Sequence, residues 1–90
     1  MGTKQLVVLA RRNHAEAMRV AAGLTIAGHG VRLIFMHLPV AETAENIEQA
    51  ETLELCDIEP ETTVRGEDLP YLDSAALSMA LLHADSVINL

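Results

Sequence analysis

Residues 5–37 read QLVVLARRNHAEAMRVAAGLTIAGHGVRLIFMH, and this stretch decides the fold class. The run Leu6–Ala10 is continuously apolar, as expected of a strand buried on both faces. An alanine-rich amphipathic segment follows, and a second apolar run begins at Val31. Because parallel strands need a crossover of this kind, the stretch predicts a complete βαβ unit.

Capping signals set the bounds of the first helix. Asn13 is a favourable N-cap, and Glu16 stands at capping-box spacing from it. The helix is predicted to run to about Ala27 and to end at the glycines of Gly28-His29-Gly30. Its predicted inner stripe is made of small and medium apolar residues: Ala17, Val20, Ala21, Leu24 and Ala27.

The rest of the chain continues the alternation of strand and helix. Apolar and acidic residues each recur at every third position over residues 41–56, which predicts a second helix with Thr43 as N-cap. Glu61–Val64 is predicted to be a short third strand, a third helix to begin near Asp73, and Ser86–Leu90 to be a fourth strand.

This order of elements predicts one α/β domain over residues 1–90. We expect a three-layer, doubly wound, flavodoxin-like sheet of about four parallel strands in the order 2-1-3-4. In that order strand 2 lies at an edge, and an apolar edge strand needs a cover. We therefore expect self-association, or a related small subunit, over this edge or the nearby helices.

Composition and charge narrow the classes of function. Among 90 residues Phe35 and Tyr71 are the only aromatic ones, and the net charge is −7, so binding of nucleic acid is not expected. Residues 1–41 carry five basic residues against one glutamate, whereas residues 42–90 carry one arginine against twelve carboxylates. The basic half predicts a positive patch near the first turn, and the acidic half predicts a solvated acidic face.

The single cysteine and the hydropathy pattern are typical of a cytoplasmic protein. Cys56 has no partner for a disulfide within the chain, which fits a reducing environment. The start MGTKQ shows no signal-peptide pattern, and no apolar run approaches the roughly 18 residues of a membrane span. We expect a cytoplasmic protein without membrane attachment.

A ligand is expected beyond the carboxyl ends of the parallel strands, where three polar loops should meet. The first of these loops opens a helix, so free amides and two arginines favour a small anion there. The other interpretation is that the arginines only keep the strand end soluble. The candidate ligand-binding residues are Arg11, Arg12, Asn13, His14, His37 and Arg65.

Signals for catalysis are weak. The chain has no glycine-rich phosphate motif and no histidine or cysteine spacing typical of a metal site, so we expect neither a cofactor nor a metal. His14 and His37 could meet at the mouth of the sheet as acid and base, although histidines at surface turns are commoner. Cys56 is the one possible thiol nucleophile, but its acidic surroundings favour a buried small hydrophobe.

Several stretches resemble the DsrE/DsrF/TusD group of small sulfur-relay proteins: the unit Leu6–Met36 with its turn Ala27-Gly28-His29-Gly30-Val31, the loop Asp68-Leu69-Pro70, and the end Ala84-Asp85-Ser86-Val87-Ile88. The resemblance implies a compact parallel α/β fold, a cytoplasmic location, and homotrimers or mixed hexamers. It also implies a persulfide-carrying cysteine in the loop after the third strand. Here that loop reads Val64-Arg65-Gly66-Glu67, without a cysteine.

Together these observations predict a small oligomeric DsrE-like protein that is a non-catalytic binding or regulatory member of the group. One alternative is a sulfur carrier with persulfide on Cys56. Another is an acidic protein-interaction module that uses the face Glu42–Glu54.

Overall fold

The computed structural model describes residues 3–90 and shows strands and helices in strict alternation. The elements are β1 (Gln5–Ala10), α1 (His14–Ile26), β2 (Gly30–Phe35), α2 (Ala44–Leu55), β3 (Glu61–Thr62), α3 (Ser74–His83) and β4 (Ser86–Asn89). All four strands run parallel in one sheet. The predicted α/β fold class with a parallel sheet is therefore confirmed.

The strand order is β3-β2-β1-β4, so the predicted order 2-1-3-4 was wrong. β2 lies between β1 and β3, and the edges of the sheet are β3 and β4. The reason lies in the helices. α2 buries only Leu53 and lies beside α1, whereas the uncharged α3 packs on the opposite face. A mostly exposed acidic helix is poorly suited to cover half of a sheet face alone, which the order 2-1-3-4 would have required.

Side-chain caps begin all three helices, as the sequence predicts for each. Asn13 Oδ1 accepts from the Glu16 amide of α1 at 3.1 Å. Thr43 and Asp73 cap α2 and α3 in the same way. Gly28 ends α1 with a positive φ of 96°, a conformation that costs glycine little.

The sheet is covered on both faces by apolar side chains. Alternate residues of β1 and β2, including Val8 and Leu33, pack against α1 and against Leu53 of α2. The intervening residues, including Val7 and Ile34, pack against α3. α1 buries Ala17, Met18, Ala21 and Ala22, whereas the predicted stripe residues Val20 and Leu24 are half-buried and Ala27 is exposed.

β3 is shorter than the sequence predicts and covers only the end of β2. It pairs Glu61 with Ile34 and Thr62 with Phe35, and Val64 lies outside it. Its outer side is occupied by the segment around Tyr71, because Thr62 donates to Pro70 and accepts from Leu72. Within residues 3–90 there is no helix with the length and apolarity that crossing a membrane requires.

The contact of α1 with the sheet depends on small side chains. Ala21 is fully buried, so Ala21→Leu would overpack the core and lower the free energy of unfolding by about 1–3 kcal/mol. Gly23 lies on the exposed face of the same helix with open space around it, so Gly23→Ala is expected to raise that free energy by about 0.5–1 kcal/mol. Urea denaturation of both variants measures the two changes. Equal effects of both substitutions would contradict this packing.

Candidate functional site

Polar residues meet at the carboxyl ends of β1, β2 and β4. Arg11 follows β1, His37 lies just beyond β2, and Asn89 ends β4. In an open parallel sheet this is the edge where ligands bind, and the crevice forms where neighbouring strands connect to opposite faces. Here that point lies between β1, which leads into α1, and β4, which follows α3.

The Arg11 guanidinium joins the ends of the two strands that flank β1. Its Nε donates to Asn89 Oδ1 at 3.0 Å, and its Nη1 lies 3.3 Å from His37 Nε2. A guanidinium only donates, so His37 Nε2 is the acceptor in this contact. We call these three residues the arginine cluster. Its side chains are exposed, and the Nη2 donors of Arg11 remain available to a ligand.

His37 has a strained backbone. Its φ is 71°, and the Leu38 amide donates to the Met36 carbonyl at 2.8 Å, which closes a γ-turn around it. A γ-turn with a positive central φ is rare, and residues other than glycine populate this region seldom. The turn holds the histidine against Arg11. Such strain is found most often at functional sites.

The amino end of α1 is less open to an anion than the sequence suggests. The amides of Arg12 and Asn13 both donate to the Leu90 carbonyl at 3.3 Å, and the Asn13 side chain is used as the cap. Two of the amides expected to receive a ligand are therefore occupied by the end of β4. The positive charge of this loop comes instead from the exposed side chains of Arg11 and Arg12.

His14 is part of the packing rather than a free base at the rim. Its ring stands edge-on to Phe35, with centroids 5.1 Å apart, and its Nε2 is buried without a hydrogen-bond partner among residues 3–90. Burial lowers the pKa of His14 below its ordinary value of 6.5. The structure records no contact between His14 and His37, so it does not bring the two together as an acid–base pair.

A cleft of about 350 Å³ lies beside the arginine cluster, between the amino ends of α1 and α2. Arg12, Asn13 and His14 form one wall. The other wall comes from the loop after β2 and from the start of α2, where Thr43 and Glu45 lie. Two helix amino ends and an arginine face this space, and Glu45 supplies a carboxylate on the far side.

Arg65 lies apart from the arginine cluster. It follows β3 at the outer edge of the sheet, and its guanidinium stacks over the Tyr71 ring at 5.2 Å. This cation–π contact ties the arginine to its own loop. The structure therefore groups Arg11 with His37, and Arg12 with Asn13 and His14, but shows no contact between Arg65 and either group.

Cys56 belongs neither to the arginine cluster nor to the adjoining cleft. It caps the carboxyl end of α2, which runs back toward the amino ends of the strands. It is partly exposed, and its side chain packs against the core beside α1. Reactive thiolates typically lie at helix amino ends or beside cations, whereas Glu54 and Asp57 flank this cysteine.

Sequence reasoning missed Asn89 and the Leu90 carbonyl. Asn89 could have been predicted as a site residue, because it is a polar residue directly after Val87-Ile88 and the carboxyl ends of parallel strands lie together. Over residues 3–90 no group of three histidine, cysteine, aspartate or glutamate side chains could hold a metal ion.

Comparisons with models of protein families, with curated proteins and with solved structures found no match to this chain.

Burial of His14 predicts a pH dependence of stability. Its pKa is lowered in the folded state, so between the two pKa values the unfolded chain binds more protons and stability rises with pH. The free energy of unfolding should therefore fall as the pH is lowered through 6.5, the ordinary pKa that His14 has in the unfolded chain. Chemical denaturation at several pH values should show a weaker slope in His14→Gln. The exposed His83→Gln is the matched control, and an equal loss of slope in both variants would contradict the assignment.

Proposed function

We propose that this chain is a non-catalytic binding or regulatory protein that holds a small anion at the carboxyl edge of its sheet. The observation that carries the proposal is the arginine cluster, in which a side chain from beyond β1 links the ends of β2 and β4. The relation to the DsrE/DsrF/TusD group belongs to the same proposal and rests on the resemblance of sequence. A cytoplasmic location is proposed on the same basis.

The geometry supports an anion because two exposed arginines, Arg11 and Arg12, lie at the end of β1. Arg11 keeps free N–H groups after bonding to Asn89 and His37, and a guanidinium binds carboxylate or phosphate through two parallel hydrogen bonds. Arg12 adds a second positive charge at the adjoining cleft. A ligand with one anionic group and a polar body would contact both places.

The proposal favours binding over sulfur transfer because of where the cysteine lies. Cys56 follows the end of α2 and belongs neither to the arginine cluster nor to the adjoining cleft, so a persulfide there would not share a site with the arginines. The loop after β3 contains Arg65 and no cysteine. The arginine cluster and its cleft therefore give no support to the sulfur-carrier alternative.

Inorganic phosphate is a suitable probe of the anion site. Titration followed by ¹H–¹⁵N NMR should shift the amides of residues 11–15 in a saturable manner. Arg11→Gln removes the charged donors and should weaken binding at least about tenfold. Arg19→Gln is the matched control, because Arg19 is exposed on α1 and already paired with Glu16.

Two results would contradict the proposal. The first is that phosphate and sulfate leave the amide shifts of residues 11–15 unchanged. The second is that incubation with a sulfur donor adds about 32 Da, the mass of one sulfur, to Cys56, with the addition lost in Cys56→Ser. The second result would favour the sulfur carrier.

A second candidate function is supported by the exposure of α2. The glutamates from Glu42 to Glu54 are all exposed, and Ile47 among them is 52% exposed, so the helix presents an acidic surface with an apolar residue within it. Acidic surfaces of this kind suit a basic protein partner. We propose the acidic protein-interaction module as this alternative.

A short oligolysine peptide tests the acidic surface. The chain should bind it, and the affinity should fall as salt is raised because the contact is electrostatic. The double variant Glu45→Lys/Glu48→Lys should abolish binding. Glu67→Lys/Asp68→Lys makes the same change of charge in an exposed loop and should retain it. Binding that is indifferent to salt, or lost equally in both variants, would rule this surface out.

A further inference from the structure

The free edge of β4 is the least protected surface of the sheet. β4 pairs with β1 on one side and has no partner on the other among residues 3–90. The opposite edge, at β3, is occupied by the segment around Tyr71. Natural edge strands are usually blocked by charged residues, proline or a bulge, whereas β4 reads Ser-Val-Ile-Asn.

The hydrogen-bonding groups of this edge can be assigned to residues. The Leu90 amide donates to the Leu9 carbonyl, so Leu90 faces β1. Because alternate residues of a strand face opposite neighbours, Ser86 and Ile88 also face β1, whereas Val87 and Asn89 direct their backbone N–H and C=O groups away from it. The Asp85 carboxylate does not block the edge, since it accepts from the Gln5 amide at 2.7 Å.

Apolar side chains continue from this edge onto α3. Val87 is in register with Val7, whose side chain packs against α3, so Val87 lies on the α3 face of the sheet. It is 38% exposed because the core under α3 is built on β1 and β2. On α3 itself Met79 is 53% exposed and Leu82 is 79% exposed. Parallel sheets are normally covered on both faces, and here the cover stops short of β4.

Charge decides which partner fits this surface. The chain carries a net charge of −7, so two copies repel each other wherever their carboxylates meet. α3 contains no lysine, arginine, aspartate or glutamate, and neither does β4. α1 and α2 both carry charged residues. A second copy can therefore approach at α3 and β4 without opposing the acidic surface of α2.

We propose that two copies of this chain form a two-fold dimer by antiparallel pairing of their β4 strands, with α3 of each copy flanking the junction. Val87 of one copy then exchanges backbone hydrogen bonds with Val87 of the other. The two residues meet at the axis as a hydrogen-bonded pair, with Cα atoms about 5.5 Å apart. The two sheets become one of eight strands, and the closed symmetry leaves no β4 edge free.

Sedimentation equilibrium of the full chain tests the dimer. The unaltered chain should be dimeric at about 10 µM or above, within the usual range of specific association. Val87→Glu places two carboxylates against each other at the axis and should raise the dissociation constant at least about tenfold. Ile47→Glu makes the same change of charge on α2 and should leave the dimer intact. Circular dichroism verifies that both variants are folded.

A cross-linking experiment tests the register independently of stability. In a Cys56→Ser background, Val87→Cys should form a disulfide between copies under mild oxidation, because the paired Cα atoms lie within disulfide range. Ile47→Cys in the same background should remain reduced. A monomer at all concentrations, an equal effect of the two glutamate variants, or no cross-link at Val87 would each overturn the proposal. None of these measurements depends on anion binding.

Discussion

The burial of β1 on both faces and its pairing on both edges is the constraint on which the rest of the structure depends. Leu6–Ala10 are all buried, and the strand hydrogen-bonds to β2 on one side and β4 on the other. A strand in this position must be apolar throughout, because every side chain enters one of the two cores. Charged side chains can therefore reach water only after the strand ends. Arg11 and Arg12 follow it directly and are exposed.

This position explains how the arginine cluster forms. The strands on either side of β1 end at the same edge, so their terminal residues fall within reach of one long side chain. Arg11 uses that reach to join Asn89 and His37, residues 78 and 26 positions away in the chain. Two further features hold the carboxyl ends of these strands in place. One is the γ-turn at His37, and the other is the pair of hydrogen bonds that the Leu90 carbonyl accepts from the amides of Arg12 and Asn13.

The three helices divide the work of covering the sheet unequally. α1 lies close because its buried residues are mostly alanine, and α2 rests beside it through Leu53 while its glutamates remain in water. The opposite face is left to α3, which carries no formal charge and covers β1 and β2. A chain of 90 residues is short, and short chains bury a smaller fraction of their surface when they fold. The consequence is an acidic exterior on one side and an apolar edge at β4 on the other.

The sequence by itself determined the elements and the fold class. Capping side chains at Asn13, Thr43 and Asp73, glycine at the end of α1, and the apolar run of β1 are local signals, and local physics sets helix ends and strand burial. Only the tertiary structure decided the strand order, because the choice between neighbours depends on how much of each face a helix can cover. It also decided the site. Arg11 and His37 were identifiable as polar residues at strand ends, but their link to Asn89, the occupation of the α1 amides by Leu90, and the separation of Arg65 arise from contacts between residues distant in the chain.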